Sequence, residues 1–153
     1  MNIKKLTETA IVPTRATEFA AGFDLYADTI KPVHVYRGNK DHCYEVTTNL
    51  IVHTGIAMEI PHGYVGLIFA RSGLACKNGL RPANCVGVID EDYRGEIIVN
   101  LACDKQPLNK QIDPGDRVAQ IVFVEYHPFE MTVVPELSDT PRGAGGFGST
   151  GNK

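Results

Sequence analysis

Sustained helical periodicity is hard to find in this chain. Apolar residues come instead in short runs broken by Gly, Pro and Asn. LIVHTGIAMEI (Leu50–Ile60), with β-branched residues around Gly55, YVGLIFA (Tyr64–Ala70), EIIVNLA (Glu96–Ala102) and RVAQIVFV (Arg117–Val124) have the length and composition of strands. MTVVPEL (Met131–Leu137), ended by Pro135, reads as a further strand. Turn signals recur between the runs: PHG from Pro61, DPGD from Asp113, YHPF from Tyr126. Short strands at this spacing predict an all-β subunit, a jelly-roll-like barrel or sandwich. One short helix is expected after Ser72, which caps GLACKNG.

VHVYRGNKDHCYEV (Val33–Val46) is more polar and reads as a projecting hairpin or loop, a place for a partner or mere decoration. From Ser138 the composition turns polar and Gly-rich. Residues 1–137 are therefore expected to form the β-rich core and 138–153 a flexible tail. A length of 153 residues suits one domain with a real core.

Net charge is −3, with no Lys/Arg block, which argues against a nucleic-acid polymer as partner but not against a small anion held locally. No apolar run reaches membrane-span length and MNIKKLTETA lacks the apolar stretch of a secretory signal, so a cytoplasmic protein is expected. Cys43, Cys76, Cys85 and Cys103 form no C-x-x-C pair and are expected to be small, reduced and buried.

Five stretches stand out from plain scaffold. In AGFDLYAD (Ala21–Asp28), alternation sets Asp24 opposite Phe23 and Leu25; a solvent-facing strand residue is the simpler alternative. In ARSGLA (Ala70–Ala75), Arg71, Ser72 and Gly73 follow a strand and suit an anion, or form a capped turn with a surface arginine. NCVGVIDEDYRGEI (Asn84–Ile97) carries Asp90, Glu91 and Asp92 before Tyr93, either an ordinary hairpin turn or a carboxylate base or metal ligand beside an aromatic platform. An aspartate, with an ordinary pKa of about 3.9, is ionised at neutral pH and can orient and deprotonate water. In GDRVAQIV (Gly115–Val122), Gln120 interrupts an apolar strand, as an outward residue or as a buried polar contact between subunits.

The last stretch is RGAGGFGSTG (Arg142–Gly151). Gly143, Gly145 and Gly148 match G-x-G-x-x-G, yet a dinucleotide turn must open a helix, and this sequence is too Gly-rich to form one. Alone it reads most simply as a disordered end. But Arg142, exposed backbone N–H groups and the Ser149 and Thr150 hydroxyls suit phosphates, and Phe147 suits a flat base. A segment that orders on a nucleotide uses all of these groups.

Taken together and in this order, AGFDLYAD, ARSGLA, GVIDEDYRGEI, GDRVAQIVF and RGAGGFGSTG resemble the five motifs of the trimeric dUTP pyrophosphatases (dUTPases), over residues 20–151. The resemblance implies hydrolysis of dUTP to dUMP and pyrophosphate with Mg²⁺, in a homotrimer with three shared sites. It implies that Asp24 lies near the Mg²⁺-bound triphosphate, acting through water, and that Arg71, Ser72, Gly73 and Gln120 hold phosphates. Asn84 then reads the uracil edge, helped by backbone from Val88 and Ile89 to Ile98. Asp90 positions the attacking water, and Tyr93 lies under the deoxyribose, leaving no room for a 2′-hydroxyl. Arg142, Phe147, Gly148, Ser149 and Thr150 close over the nucleotide. Ala70 stands where many relatives have proline, a matter of turn rigidity. A dCTP deaminase, or a non-enzymatic regulator on the same scaffold, are the competing readings; Tyr93, Asp90 and the complete tail favour the pyrophosphatase.

Overall fold

The computed structural model describes residues 1–38, 43–105 and 110–146. Its strands are β1 (Asn2–Lys5), β2 (Phe23–Tyr26), β3 (Thr29–Gly38), β4 (Cys43–His53), β5 (Ile56–Glu59), β6 (Tyr64–Ala70), β7 (Leu80–Pro82), β8 (Gly87–Ile89), β9 (Ile98–Cys103) and β10 (Arg117–Glu125). They form two four-stranded sheets, β2-β10-β6-β8 and β3-β4-β9-β7, and a small β1-β5 pair, with every pairing antiparallel. This is the expected all-β, jelly-roll-like architecture.

Alternation along the strands builds the core. Leu25, Ile68, Ala119 and Ile121 from one sheet meet Leu50, Val52, Leu80, Val99 and Leu101 from the other, with Ile56 and Met58 of β5. Burying each large aliphatic side chain stabilises the fold by roughly 1.5–3 kcal/mol. The long run Leu50–Ile60 divides at Gly55, whose φ of 65° turns the chain between β4 and β5. That left-handed conformation suits glycine.

Within the polar segment 33–46, the described residues 33–38 and 43–46 pair as antiparallel strands. The β3 and β4 residues Tyr36↔Glu45 and Arg37↔Tyr44 pair across it, and Tyr36 and Tyr44 are exposed.

Three expectations need correction. The short helix after Ser72 is present, as a π-helical turn Gly73–Asn78, but Ser72 makes no side-chain capping bond; Ser72 itself is helical, so its hydroxyl is not placed to receive the first amide protons. The turn ends at Gly79, whose φ is 69° and whose N–H donates to Ala75 O. Met131–Leu137 is not a strand: Met131, Val133 and Leu137 are exposed, and no described strand offers its hydrogen-bonding edge to them. Cys76 and Cys85 are exposed rather than buried, Cys76 on the π turn and Cys85 in a tight turn with φ 64°. Cys103 is half-buried, and burial, aided by Asp104, raises its thiol pKa. None of the three is in a disulfide. No helix among the described residues is long and apolar enough to cross a membrane.

Candidate active site

The site residues fall into two clusters set by strand register. The first lies where β2, β6 and β10 run together. Asp24 is directly opposite Gln120, and Ala119 pairs with Ala70, the last residue of β6. Arg71 follows immediately and turns back on Asp24: its Nε donates to Asp24 Oδ1 at 2.8 Å, and its Nη1 to Arg117 O at 3.3 Å. Arg117 Nη1 donates to Asp24 Oδ2 at 3.2 Å. Asp24 is thus not solvent-facing; it is 7 % exposed and holds two guanidinium groups. A buried carboxylate needs such partners.

Arg15 stacks 4.7 Å above the centre of the Phe23 ring, next to the Thr14–Asp24 bridge. Two arginines against one carboxylate leave this corner cationic, although the chain as a whole is acidic. Ser72 and Gly73 are exposed beside it, and a Cβ on Gly73 would meet nothing within 4 Å, so the backbone there is open to approach. Gln120 is half-buried, on the strand face away from Ala119 and Ile121: Nε2 donates to Ala70 O at 3.0 Å, and its amide packs on Gly22, where a Cβ would sit 2.8 Å from Oε1.

The second cluster surrounds β8 and β9. A cleft of about 340 Å³ is lined by Asn84, Val88, Ile89, Ile98, Asn100 and neighbouring backbone. That is within the ordinary range for a small-molecule site, about 300–1,000 Å³. A tight turn presents Asn84: Cys85 N–H donates to Pro82 O, Val86 N–H to Asn84 O, and Ala83 N–H to Asn100 O. Asp90 follows Ile89 and is exposed beside a second hollow lined by Val65, Glu91, Asp92 and Tyr126. Asp90 to Tyr93 forms a turn, with Tyr93 N–H donating to Asp90 O. The Tyr93 ring lies so close over Gly95 that any side chain there would collide with it, and its hydroxyl donates to Glu96 O at 3.0 Å.

Glu91 secures this turn. Its carboxylate lies 2.9 Å from His62 Nδ1 and accepts the Gly63 N–H at 2.6 Å. The His62 bond first, then that of Gly63, holds its pKa below the usual carboxylate value. Desolvation and the Glu91 charge raise the Tyr126 hydroxyl.

Register separates the clusters. Gly66 pairs with Ile89, so Asp90 stands beside Val65 at the start of β6, whereas Arg71 follows its end. Six residues of strand make that about 20 Å. Arg142 belongs to neither cluster in this chain; its Nε donates to Gly145 O. Phe147, Gly148, Ser149 and Thr150 lie outside the described residues.

Among the described residues no group of three or more His, Cys, Asp or Glu is placed to cage a metal ion, and both Asp24 oxygens face arginines. A Mg²⁺ ion here would therefore have to take its donors chiefly from phosphate oxygens and water. Sequence reading overlooked Arg117 as a partner of Asp24, the Arg15–Phe23 stack, Asn100 in the cleft and the anchoring by Glu91. Arg117 had one visible signal, an arginine beginning the same apolar strand as Gln120.

The dUTPase family profile matches residues 8–151. The chain is 44% identical to the deoxyuridine 5′-triphosphate nucleotidohydrolase of Hydrogenobaculum sp., covering 99% of this chain and 97% of that protein. It is 39% identical to the protein of that name from Paramecium bursaria Chlorella virus 1, covering 97% and 96%. Among solved structures, the dUTPase of Staphylococcus bacteriophage 80alpha with dUPNHPP superimposes with a TM-score of 0.74 at 26% identity, covering 98% of this chain and 97% of that one. A dUTPase variant from phage phi11 of S. aureus, described with a coordinated structural Mg(II) ion, gives a TM-score of 0.69 at 25% identity over 88% and 96%. By its motifs, its fold and its full-length similarity, the chain belongs to the dUTPase family.

Proposed function

We propose that this protein hydrolyses dUTP to dUMP and pyrophosphate, at sites built between copies of the chain in a homotrimer. The observation that carries the reading is the order along β8: Val88 and Ile89 line the cleft, and Asp90 is the next residue. That order supports a reading in which base recognition and water activation lie side by side.

Uracil enters the cleft, where the Asn84 amide, both donor and acceptor, meets its edge with help from backbone between Val88 and Ile98. Tyr93 packs on the deoxyribose and excludes a 2′-hydroxyl. Asp90 accepts a proton from a water held in line with the α-phosphorus. The water oxygen bonds to that phosphorus, the α–β bridging bond breaks, and pyrophosphate leaves. Mg²⁺, when bound, would supply charge neutralisation for the triphosphate, and Asp24 would hold it through water.

Arg71, Ser72, Gly73 and Gln120 hold the phosphates, and the distance from Arg71 to Asp90 supports a site shared between copies. About 20 Å along β6 exceeds the reach of a triphosphate. Arg71 of one copy therefore serves the Asp90 of another. The exposed apolar side chains of Phe129, Met131, Val133 and Leu137 support burial against a further copy. The tail 138–153 then acts as a lid: Arg142, Phe147, Gly148, Ser149 and Thr150 close over the nucleotide of a site it does not otherwise build. The substrate is a soluble nucleotide, which fits a cytoplasmic enzyme, in the host cytoplasm if the chain is viral. No role is assigned to the 33–46 segment.

The test is pyrophosphate release with Mg²⁺ from dUTP, UTP and dCTP offered separately. Turnover of dUTP alone is expected. Ammonia from dCTP, or inertness toward dUTP, overturns the reading.

A further inference from the structure

The turn and following residues 90–97 carry Asp90 and Tyr93 together with two glutamates, Glu91 and Glu96. Each glutamate makes the same pair of contacts. Glu91 accepts the N–H of Gly63 at 2.6 Å and lies 2.9 Å from His62 Nδ1. Glu96 accepts the N–H of Gly55 at 2.8 Å and lies 2.8 Å from His53 Nδ1. Both glycines have positive φ, 81° and 65°, and they occupy the turns on either side of β5. Ile97 N–H donates to Ile56 O at 2.8 Å, and Thr54 Oγ1 to Ile97 O at 2.7 Å. The segment is thus fastened to both ends of a strand that belongs to neither four-stranded sheet.

What each fastening sets differs. Glu91 adjoins Asp90, and it lines one hollow together with Tyr126, the residue after β10. Glu96 adjoins Tyr93 in space, because its own backbone carbonyl receives the Tyr93 hydroxyl at 3.0 Å. We infer that Glu91 and Glu96 are positioning residues: Glu91 places the Asp90 carboxylate, and Glu96 places the Tyr93 ring. The inference rests on the function proposed above. A carboxylate suits the task because it accepts several bonds at once, and charge-assisted bonds are shorter and stronger than neutral ones.

The roles separate in kinetics. Glu91→Ala is expected to lower kcat on dUTP by roughly tenfold to a hundredfold, the order of loss that a displacement of about 1 Å produces, with KM and the dUTP/UTP preference little changed. Glu96→Ala is expected to narrow the dUTP/UTP ratio of kcat/KM toward that of Tyr93→Ala. Glu91→Gln and Glu96→Gln each keep an acceptor for the glycine N–H and should recover most of the loss; they also stand in should Glu96→Ala, half-buried, fail to fold. Hydrogen exchange gives a readout independent of turnover: the amides of Gly63 and Tyr93 should exchange faster in Glu91→Ala, and those of Gly55 and Ile97 in Glu96→Ala. Wild-type protein inert toward dUTP overturns the proposed function, and exchange still decides the fastenings. Active wild type with unchanged or interchanged kinetics in the variants, or exchange at wild-type rates, overturns the inference.

Discussion

Asp90 and Arg71 of one chain stand at opposite ends of β6, about 20 Å apart along the strand. The separation follows from pairing alone: β8 meets the middle of β6 and runs on antiparallel toward its start, and β10 with β2 continues past its end. Asp90 is consequently grouped with the base-sized cleft, and Arg71 with Asp24 and Arg117.

Replacing Asp90 by Asn keeps its shape and removes the proton acceptor. Turnover of dUTP is expected to fall by about 10²–10⁴-fold, the range for loss of a general base. Binding of a non-hydrolysable analogue, followed by calorimetry, should survive. Turnover near the wild-type rate contradicts the assignment.

Selectivity should divide between two residues. Tyr93→Ala opens space beneath the sugar and should narrow the gap in kcat/KM between dUTP and UTP. Asn84→Ala should weaken dUTP use while leaving the sugar preference nearly intact. Steady-state kinetics on both nucleotides checks this, and interchanged phenotypes would refute it.

The arginine pair on Asp24 makes a stability prediction. Arg71→Ala alone leaves Arg117 on the buried carboxylate and should cost little. Arg71→Ala with Arg117→Ala leaves that carboxylate unpaired and should destabilise the fold by about 3–5 kcal/mol, as for other buried ions deprived of a partner. Urea unfolding of the single and double variants measures the difference. Equal, small losses in both would show that Asp24 does not depend on the pair.

Truncation after Leu137 should leave thermal unfolding nearly unchanged, because the described residues 138–146 lie almost wholly on the surface. Turnover should nevertheless be lost, since the triphosphate would stay wet and poorly aligned. In the intact chain, the tail should gain protection from protease only with a dUTP analogue and Mg²⁺. Full-rate hydrolysis by the truncated protein would make the tail a mere disordered end.

The strands were legible because each has its own local pattern: Tyr64–Ala70 was readable to the residue, and Leu50–Ile60 carried its break in Gly55. Met131–Leu137 has the same pattern, but a strand also needs an edge to pair with, which lies outside any local reading. The site motifs were visible as unusual residues in otherwise apolar runs. Their partners were not, because Arg117 reaches Asp24 across 93 positions and Glu91 reaches Gly63 across 28. Such contacts follow from register, which sequence spacing does not contain. Gln120 shows the same limit: its place on a strand was readable, and its bond to Ala70 O was not.

The shared site is tested most directly by mixing two inactive proteins. Asp90→Asn chains retain Arg71, and Arg71→Ala chains retain Asp90. After co-refolding in equal amounts, sites that take Asp90 from one chain and Arg71 from the other regain both groups. For random assembly into a symmetric oligomer, about a quarter of the sites should be restored, and dUTP hydrolysis should return to about that fraction of wild type. Activity no greater than that of the separate variants would contradict a site shared between chains and require Arg71 and Asp90 to act within one.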